Sequence, residues 1–151
     1  AKEVIRTKLC DPLDQLFPSY PDFSKKFVEL SFSKTDNPIN VKTKYAINKL
    51  NCYFSGKETF PDDGSIEHIV PEDKGDFALN VGNLILLEVT LNRDAGNAAY
   101  SDKISIYKKS TYPWIAQFVA DHSEWNQSMI ADRAKKLAEI YYQKIFNKAL
   151  T

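Results

Sequence analysis

The sequence predicts a mostly α-helical α+β fold in which a small two-stranded antiparallel sheet lies among helices. Three observations predict it: apolar residues recur at helical spacing at both ends of the chain, two short strand-like runs lie between residues 65 and 89, and a helical segment follows them. The 151 residues suit one domain. We divide that single domain into a helical N-terminal part (residues 1–60), a ββα core (residues 65–110) and C-terminal helices (residues 111–151).

The N-terminal part is expected to form three helices. Residues 3–17 carry apolar side chains at helical spacing, and a pair of prolines directly after them ends that helix. Asp22 is a candidate N-cap for a second helix that reaches Phe32. Pro38 opens a third helix that ends at Gly56. We expect the following residues of the third helix to face the core: Tyr45, Ala46, Leu50, Tyr53 and Phe54.

The central part changes from helical to strand-like patterning. Residues 65–70 are rich in β-branched side chains and stop at Pro71, so they predict the first strand. Residues 83–89 predict the second strand. Gly96 interrupts the chain after this strand, and the next helix is predicted over residues 98–109.

The C-terminal part is expected to form two helices. Pro113 suits the first turn of a short helix that runs to Val119. Asn126 is a candidate N-cap for a long helix that extends to about Leu150. Its inward face is predicted to carry Ile130, Ala134, Leu137, Tyr141 and Ile145.

The composition argues against several classes of protein. With 43% hydrophobic and 13% aromatic residues, the chain can build a core and is not a disordered tail. No apolar run approaches the roughly 20 residues that span a bilayer, and the first residues lack the apolar core of a signal peptide. We therefore expect a soluble cytoplasmic protein with no membrane partner. Cys10 and Cys52 are far apart and have no histidine at metal-ligand spacing, which argues against structural zinc. We favour two buried, reduced thiols over a disulfide.

The charge balance bears on binding to nucleic acid. The chain has 20 basic and 20 acidic residues, which argues against a protein held on nucleic acid by its overall field. Local basic clusters remain candidates for phosphate contacts, although each is more often a solvated helix face. The clusters are Lys42, Lys44 and Lys49; Lys103, Lys108 and Lys109; and Arg133, Lys135 and Lys136.

The chain has only two histidines, and they differ in context. His122 lies in a polar segment between predicted helices and is interpreted as an exposed loop histidine. His68 ends the predicted first strand, directly after Glu67. A His beside a Glu on a strand is usually structural, but Asn83 follows His68 by fifteen residues and Asn92 follows nine further on. It is this spacing that indicates a site.

This order of residues resembles the HNH endonucleases. Their ββα-metal site pairs an acid–His dipeptide on the first strand with an Asn that begins the second, and a His or Asn on the following helix completes it. The chain resembles the variant that ends in Asn. It is similar to the C-terminal HNH domain of GmrSD-type restriction enzymes over roughly residues 41–145. The residues that carry this likeness are Ile66, Glu67, His68, Ile69, Val70, Pro71, Gly82, Asn83, Leu84, Leu91, Asn92, Asn97, Lys103, Tyr107 and Ser110, with Trp125, Ile130, Arg133 and Leu137 further on.

The resemblance implies a metal-dependent endonuclease that hydrolyses DNA phosphodiester bonds, in a restriction or anti-phage defence system. His68 would activate the attacking water, because an ordinary histidine pKa near ~6.5 suits a base at neutral pH. Asn83 would brace the loop that carries His68, although it could equally be an ordinary turn residue. The family's architecture implies a further partner, an N-terminal nucleotide-hydrolysing domain or subunit.

Glu67 and Asn92 are the metal ligands that the resemblance implies. One carboxylate and one amide oxygen suit Mg²⁺, with Mn²⁺ possible and Zn²⁺ disfavoured. Arg93 and Lys103, on faces expected to be exposed, are candidate contacts to nucleic-acid phosphates. Strand alternation would send Glu67 and His68 to opposite faces, unless the strand ends and twists there. Many HNH sites also have Asp in place of the Glu.

Two other classes of function stay open. The chain could keep the HNH shape and bind nucleic acid without cutting it, or it could be a helical interaction domain with Glu67 and His68 on its surface. The presence of Glu67, His68 and Asn92 together argues against the first. The strand–strand–helix pattern argues against the second.

Overall fold

Six α-helices and a two-stranded antiparallel sheet make up the described part of the chain, residues 15–58 and 64–151, in the computed structural model. The predicted mostly α-helical α+β fold is therefore confirmed. Most of the first predicted helix and Cys10 lie outside the described residues. In chain order the elements are α1 (Tyr20–Phe27), α2 (Ile39–Ser55), β1 (Gly64–His68), β2 (Leu84–Glu88), α3 (Val89–Ala95), α4 (Tyr100–Tyr107), α5 (Pro113–Asp121) and α6 (Gln127–Ile140), which continues into a π-helical turn (Tyr141–Ile145).

Helix α1 begins and ends earlier than the sequence predicts. Ser19 is its N-cap, since its side chain accepts a hydrogen bond from the backbone N of Asp22 at 3.4 Å. Asp22 itself lies in the first turn, where a carboxylate interacts favourably with the helix dipole. The helix ends at Phe27 and does not reach Phe32.

Residues 28–34 follow α1 and form a segment that we call the strap, with a turn at residues 28–29 and a β-bridge at Ser31. The strap lies against the loop between the two strands: the backbone N of Phe32 donates to Leu79 O at 2.9 Å, and the backbone N of Val81 donates to Leu30 O at 2.8 Å. These long-range backbone bonds replace the helical ones that a continued α1 would make. Local propensity could not reveal this, because the partners lie about fifty residues away.

Helix α2 presents a different face to the core from the one predicted. Its left-handed C-cap is Gly56, with φ 64°, as the sequence indicates. Ala46 and Leu50 are buried as expected, but Tyr45 is 61% exposed and Tyr53 is 42% exposed, so their predicted inward orientation is wrong. The buried residues of α2 are Thr43, Ala46, Ile47, Leu50 and Asn51. Their spacing defines the inner face, and the two tyrosines lie outside it.

The two strands pair over their full lengths. Gly64 of β1 lies opposite Glu88, and His68 lies opposite Leu84. Residues 84–87 of β2 are all buried, as in a strand covered on both faces. Because the chain contains this paired sheet, it is not a purely helical interaction domain. Strand β1 ends at His68, before the predicted end at residue 70. The backbone N–H and carbonyl of Val70 form hydrogen bonds with the side chain of Asn83 and are therefore not available to pair with β2.

The helix that follows the sheet differs from the predicted one. Helix α3 begins directly after β2 and carries Asn92, whereas the sequence pattern placed residues 92–97 in a break. Its residues include Val, Thr, Asn and Asp, which are weak helix formers, so a two-turn helix here depends on packing. Gly96 ends α3 at φ 48°, and α4 follows. The helix of the ββα unit is therefore α3.

Helix α6 is capped as predicted but is shorter. The side chain of Asn126 accepts from the backbone N of Ser128 at 3.1 Å. The α-helical part ends at Ile140 and the π-helical turn ends at Ile145, so the helix does not reach residue 150. A side-chain Cβ at Gly82 would lie 2.0 Å from Ile130 O, which shows how closely α6 packs on the turn before β2.

Two expectations about the whole chain can be checked on the described residues. Within residues 15–58 and 64–151, no helix has both the length and the apolar character to cross a membrane. Cys52 is a free thiol there, half-buried on α2.

Candidate active site around the two-stranded sheet

Glu67 lies at the centre of a buried polar network. Its Oε1 accepts a hydrogen bond from Lys103 Nζ at 2.7 Å and another from Tyr107 OH at 2.6 Å. Lys103 and Tyr107 are four residues apart on α4, so they share one face of that helix. All three side chains are buried, with Glu67 3% exposed and the other two fully enclosed. Burial, with the neighbouring Glu67 carboxylate, raises the pKa of Tyr107 well above its ordinary value, so the phenol keeps its proton and donates.

Lys103 occupies a different environment from the expected one. The sequence placed it on an exposed face where it could approach a phosphate, and that expectation of exposure is wrong. Its ammonium pairs with Glu67 and also donates to the backbone O of His68 at 2.7 Å. A buried ammonium requires such partners because leaving it unpaired would be costly. Lys103 therefore ties the end of β1 to α4 and presents no charge to solvent.

Asn92 lies against β1 on the same face as Glu67. Its Nδ2 donates to Ser65 Oγ at 2.8 Å and to Ile66 O at 2.9 Å. Ser65 and Glu67 are two residues apart on a strand, so their side chains point to one face. Among the described residues none donates a hydrogen bond to Asn92 Oδ1. The structure thus brings Glu67, Asn92 and Lys103 together on this face.

His68 is held by one hydrogen bond to the strap. Its Nε2 lies 2.7 Å from Phe32 O. A carbonyl oxygen can only accept, so we assign the proton to Nε2, which leaves the lone pair of the neutral ring on Nδ1. Burial lowers the pKa of His68 below 6.5, and the hydrogen bond to Phe32 and the charge of Glu72 only partly oppose that effect. The neutral ring therefore predominates at pH 7, and no described residue hydrogen-bonds to Nδ1.

Glu67 and His68 contact different elements of the fold. The carboxylate of Glu67 contacts α4, while the ring of His68 contacts the strap. Strand alternation holds here even though β1 ends at His68. The side chain of His68 does not bond to Glu67 or Asn92. The structure thus places Glu67, with Asn92 and Lys103, on one face of β1 and the ring of His68 on the other.

Asn83 connects the turn after His68 to the rest of the fold. Its Oδ1 accepts from the backbone N of Val70 at 2.9 Å and from Trp125 Nε1 at 3.1 Å. Its Nδ2 donates to Val70 O at 2.8 Å and to Ala78 O at 2.7 Å. Asn83 is fully buried, and these four bonds use the whole hydrogen-bonding capacity of its amide. It lies where a positioning residue would lie, because its side chain does not reach solvent.

Arg93 is the exposed basic residue of the predicted set. It follows Asn92 on α3, and its side chain is 78% exposed. Its Nε lies 3.8 Å from Asp94 Oδ1. Such an exposed pair contributes little to stability and leaves the guanidinium accessible to an external anion.

Arg133 departs from the expectation of a solvated basic cluster. It is 8% exposed, and its guanidinium lies 5.0 Å from the ring of Phe118 and within 5.8 Å of two tryptophan rings. Its Nη1 donates to Gly82 O and to Leu84 O, both at 2.8 Å. Burial lowers the pKa of Arg133 to about 9, so it remains charged at neutral pH. The residue fixes the turn that contains Asn83.

His122 also differs from its predicted environment. It is half-buried at the C-cap of α5, stacked 4.4 Å from the ring of Phe118. Its Nδ1 lies 2.8 Å from Phe118 O, so here the proton is on Nδ1. The two histidines of the chain thus have opposite tautomers.

The donor set near Glu67 fits a hard divalent cation. Within the described residues, Glu67 Oε2 and Asn92 Oδ1 accept no hydrogen bond, while the other atom of each side chain is anchored. Two protein oxygens held in this way suit Mg²⁺, which fills its remaining positions with water and phosphate. The residues described contain no group of three or more His, Cys, Asp and Glu side chains that could form a closed zinc site.

Sequence reasoning missed two parts of this arrangement. The acceptor for His68 is a backbone carbonyl of the strap, which no side-chain pattern could identify. Glu72 anchors the strap, with Oε1 accepting from Ser33 Oγ at 2.9 Å and from the backbone N of Lys34 at 3.0 Å. The pairing of Glu67 with α4 had a weak signal in the four-residue spacing of Lys103 and Tyr107.

All the predicted site residues lie within a range of the chain that matches a known protein family. A family model described as the C-terminal domain of GmrSD restriction endonucleases matches residues 17–140. That range is more than half of the chain and contains every predicted site residue. A search of curated proteins finds no match to the chain.

Proposed function

The chain belongs to the family of GmrSD restriction endonuclease C-terminal domains, and on that premise we propose that it is a metal-dependent HNH-type endonuclease. It hydrolyses DNA phosphodiester bonds in a restriction or anti-phage defence system. The family is one of restriction-type nucleases, which supports nuclease activity and a DNA substrate. The observation that carries the proposal is His68, a buried neutral histidine whose Nε2 is anchored and whose Nδ1 is unoccupied by any described residue.

His68 is the general base of the proposed reaction. Nδ1 takes a proton from a water molecule as the water oxygen forms a bond to phosphorus and the bond to the 3′ oxygen breaks. The 3′ oxygen takes a proton from solvent water, which gives a 3′-hydroxyl and a 5′-phosphate. A positioned base of this kind contributes roughly 10²- to 10⁴-fold to the rate. The pKa of His68 lies below 6.5 because the ring is buried. At neutral pH the ring is therefore already in the unprotonated form that can accept a proton from water.

Glu67 and Asn92 would hold the cation on the other face of β1. Mg²⁺ or Mn²⁺ bound there would relieve negative charge at the phosphate and at the leaving oxygen. Lys103 and Tyr107 hold the carboxylate of Glu67 in one orientation through Oε1. In an in-line displacement the attacking and leaving oxygens lie on opposite sides of phosphorus. For His68 and the cation to serve one phosphate, that phosphate would lie at the end of β1, where His68 is the last residue of the strand.

The remaining predicted residues have supporting roles. Asn83 keeps the turn after His68 in place through four hydrogen bonds. Arg93 is accessible for a contact to a DNA phosphate. Because the net charge is zero, much of the affinity for DNA would come from a partner, such as an N-terminal nucleotide-hydrolysing domain or subunit.

Plasmid nicking in the presence of Mg²⁺ tests the proposal. We expect His68→Ala to cut about 10²- to 10⁴-fold more slowly than the wild type. The matched control is His122→Ala, which removes the other histidine and should retain nicking within a few-fold.

Two outcomes would overturn the proposal. Equal nicking by the wild type and His68→Ala would indicate a contaminating nuclease. DNA shifted in a gel by both proteins but cut by neither, with methylated and hydroxymethylated plasmids included, would indicate a binding module that does not cut.

A further inference from the structure

We propose that Glu72 is a positioning residue for His68, because it fixes the strap whose Phe32 carbonyl accepts the Nε2 proton of His68. The inference rests on the proposed function, in which His68 is the base. It adds a residue from the loop after β1 to the machinery that orients that base. The strap is attached differently on the two sides of Phe32.

The first half of the strap is attached through the backbone. The backbone N of Val81 donates to Leu30 O at 2.8 Å, and Ser31 forms a β-bridge with Asn80. The backbone N of Phe32 donates to Leu79 O at 2.9 Å. This half therefore has regular strand-like bonds up to Phe32.

The second half has no such ladder and is attached by side chains. Glu72 accepts from Ser33 Oγ at 2.9 Å and from the backbone N of Lys34 at 3.0 Å through Oε1, and from the same backbone N at 3.3 Å through Oε2. Asn40 Oδ1 accepts from the backbone N of Ser33 at 3.0 Å. Ser33 is thus hydrogen-bonded on two sides, to Glu72 of the loop after β1 and to Asn40 of α2.

These bonds hold the chain directly after Phe32, whose carbonyl is the acceptor of His68. The carbonyl of Phe32 and the N–H of Ser33 belong to one rigid peptide plane. A rotation of that plane moves the carbonyl oxygen away from Nε2, which lies only 2.7 Å from it. Asn40 opposes this rotation directly by accepting from the Ser33 N–H, and Glu72 restrains the residues that follow by accepting from Ser33 Oγ and from the backbone N of Lys34. Glu72 follows His68 by four residues, so the segment that carries the base also holds the group that orients it.

The position of Glu72 favours a role in orienting the Phe32 carbonyl over a role in stabilising the hydrophobic core. Its side chain is half-buried in a short 3₁₀ turn (Glu72–Lys74) and contributes to no apolar cluster. The bonds of its carboxylate go to Ser33 and Lys34 alone among the described residues. Removal of Glu72 should therefore leave a folded protein with a less restricted Phe32 carbonyl.

Two measurements on Glu72→Ala test the inference. The first is the NMR signal of the His68 Nε2 proton, which we expect to observe in the wild type because the hydrogen bond to the Phe32 carbonyl slows its exchange with water. We expect this signal to broaden or disappear in Glu72→Ala, while the Nδ1 proton of His122 serves as an internal reference. The second is nicking kinetics, in which kcat should fall about 10- to 100-fold with KM nearly unchanged, as for a misplaced catalytic group.

Three further variants separate positioning from stability. Glu72→Gln keeps an acceptor for Ser33 and Lys34, so it should restore the Nε2 signal and bring kcat within about threefold of the wild type. Asp73→Ala removes the neighbouring exposed carboxylate of the same turn and should change neither readout. Ser33→Ala, a smaller change, should shift both readouts in the same direction as Glu72→Ala.

The outcomes distinguish this inference from the proposed function. A preserved Nε2 signal and an unchanged kcat in Glu72→Ala would overturn the inference, even if His68→Ala is inactive. A lower melting temperature alone, with both readouts unchanged, would also overturn it. If His68→Ala cuts normally, the proposed function fails, while the NMR signal still reports whether Glu72 orients the ring.

Discussion

The two faces of β1 are held in opposite ways. On one face, the carboxylate of Glu67 is bonded to Lys103 and Tyr107, and the three side chains are buried together. On the other face, His68 has one hydrogen bond, to a backbone carbonyl, and a ring nitrogen that no described residue occupies. Both side chains are almost equally buried, so burial does not distinguish them.

The difference follows from what each group must do. A buried carboxylate is costly unless it is paired and hydrogen-bonded, so the Glu67 face needs several partners merely to be stable. A general base needs a free lone pair, so only one of the two ring nitrogens of His68 can be occupied by a hydrogen bond within the protein. We therefore expect substitutions on the Glu67 face to reduce stability first, and substitutions on the His68 face to reduce activity first.

Lys103→Met should produce the largest loss of stability. The substitution leaves the carboxylate of Glu67 buried without a cation, and breaking a buried ion pair in this way costs about 3–5 kcal/mol. Urea unfolding monitored by circular dichroism measures the change. The control Lys109→Met removes an exposed lysine just after α4 and should stay within about 0.5 kcal/mol of the wild type.

A second variant shows whether the cost arises from the unpaired charge. Adding Glu67→Gln to Lys103→Met removes the carboxylate charge and should recover part of the lost stability. Equal stability of Lys103→Met and Lys109→Met would contradict the assignment of the ion pair as the main support of this face.

Tyr107→Phe should have a smaller effect on the same face. It removes one hydrogen bond to a charged acceptor, which is worth about 1.5–3 kcal/mol. Tyr100→Phe is the matched control on α4, because Tyr100 OH donates to a backbone carbonyl, His122 O, at 2.7 Å. That neutral bond is worth about 0.5–1.5 kcal/mol. If the two variants lose the same free energy of unfolding, the charge of Glu67 is not what makes this face costly to disturb.

Mild acid should produce the smallest effect, through the His68 face. Burial lowers the pKa of folded His68 below its unfolded value of 6.5, so the unfolded chain binds more protons as the pH falls. The stabilising contribution is complete above pH 6.5 and is lost as the pH falls toward the folded pKa. From this one group, the loss between pH 6.5 and 5.5 is at most about 1.4 kcal/mol.

The comparison with His68→Gln measures this contribution. The Gln amide can still donate to Phe32 O but does not titrate, so the variant should show a smaller decrease in the free energy of unfolding between pH 7.5 and 5.5. An identical decrease in both proteins would mean that protonation of His68 does not couple to folding.

Several parts of the fold could be predicted because their causes are local. The cap at Asn126 and the left-handed Gly56 at the end of α2 depend on residues within a few positions. The order and spacing of Glu67, His68, Asn83 and Asn92 could also be identified, because spacing along a chain is a property of the sequence. The same locality explains why the mostly helical α+β fold was predicted correctly.

Errors arose where a side chain's environment is set by distant residues. Tyr45 and Tyr53 fit a helical pattern, but only the packing of α2 decided which face is buried. Helix α3 is short and rich in weak helix formers, so its sequence resembled a break. Arg133 and Lys103 looked like solvated basic residues, yet the rings around Arg133 and the carboxylate opposite Lys103 made burial possible.

The sequence by itself determined which residues are available for chemistry: two histidines, one of them beside an acid at the end of a strand, and two asparagines at set distances from it. Only the tertiary structure decided their orientation. Phe32, Lys103 and Tyr107 lie 35 to 40 residues from the strand residues they hold. Hydrogen bonds over such separations depend on how the strap and α4 pack on β1, and local propensity carries no information about that packing.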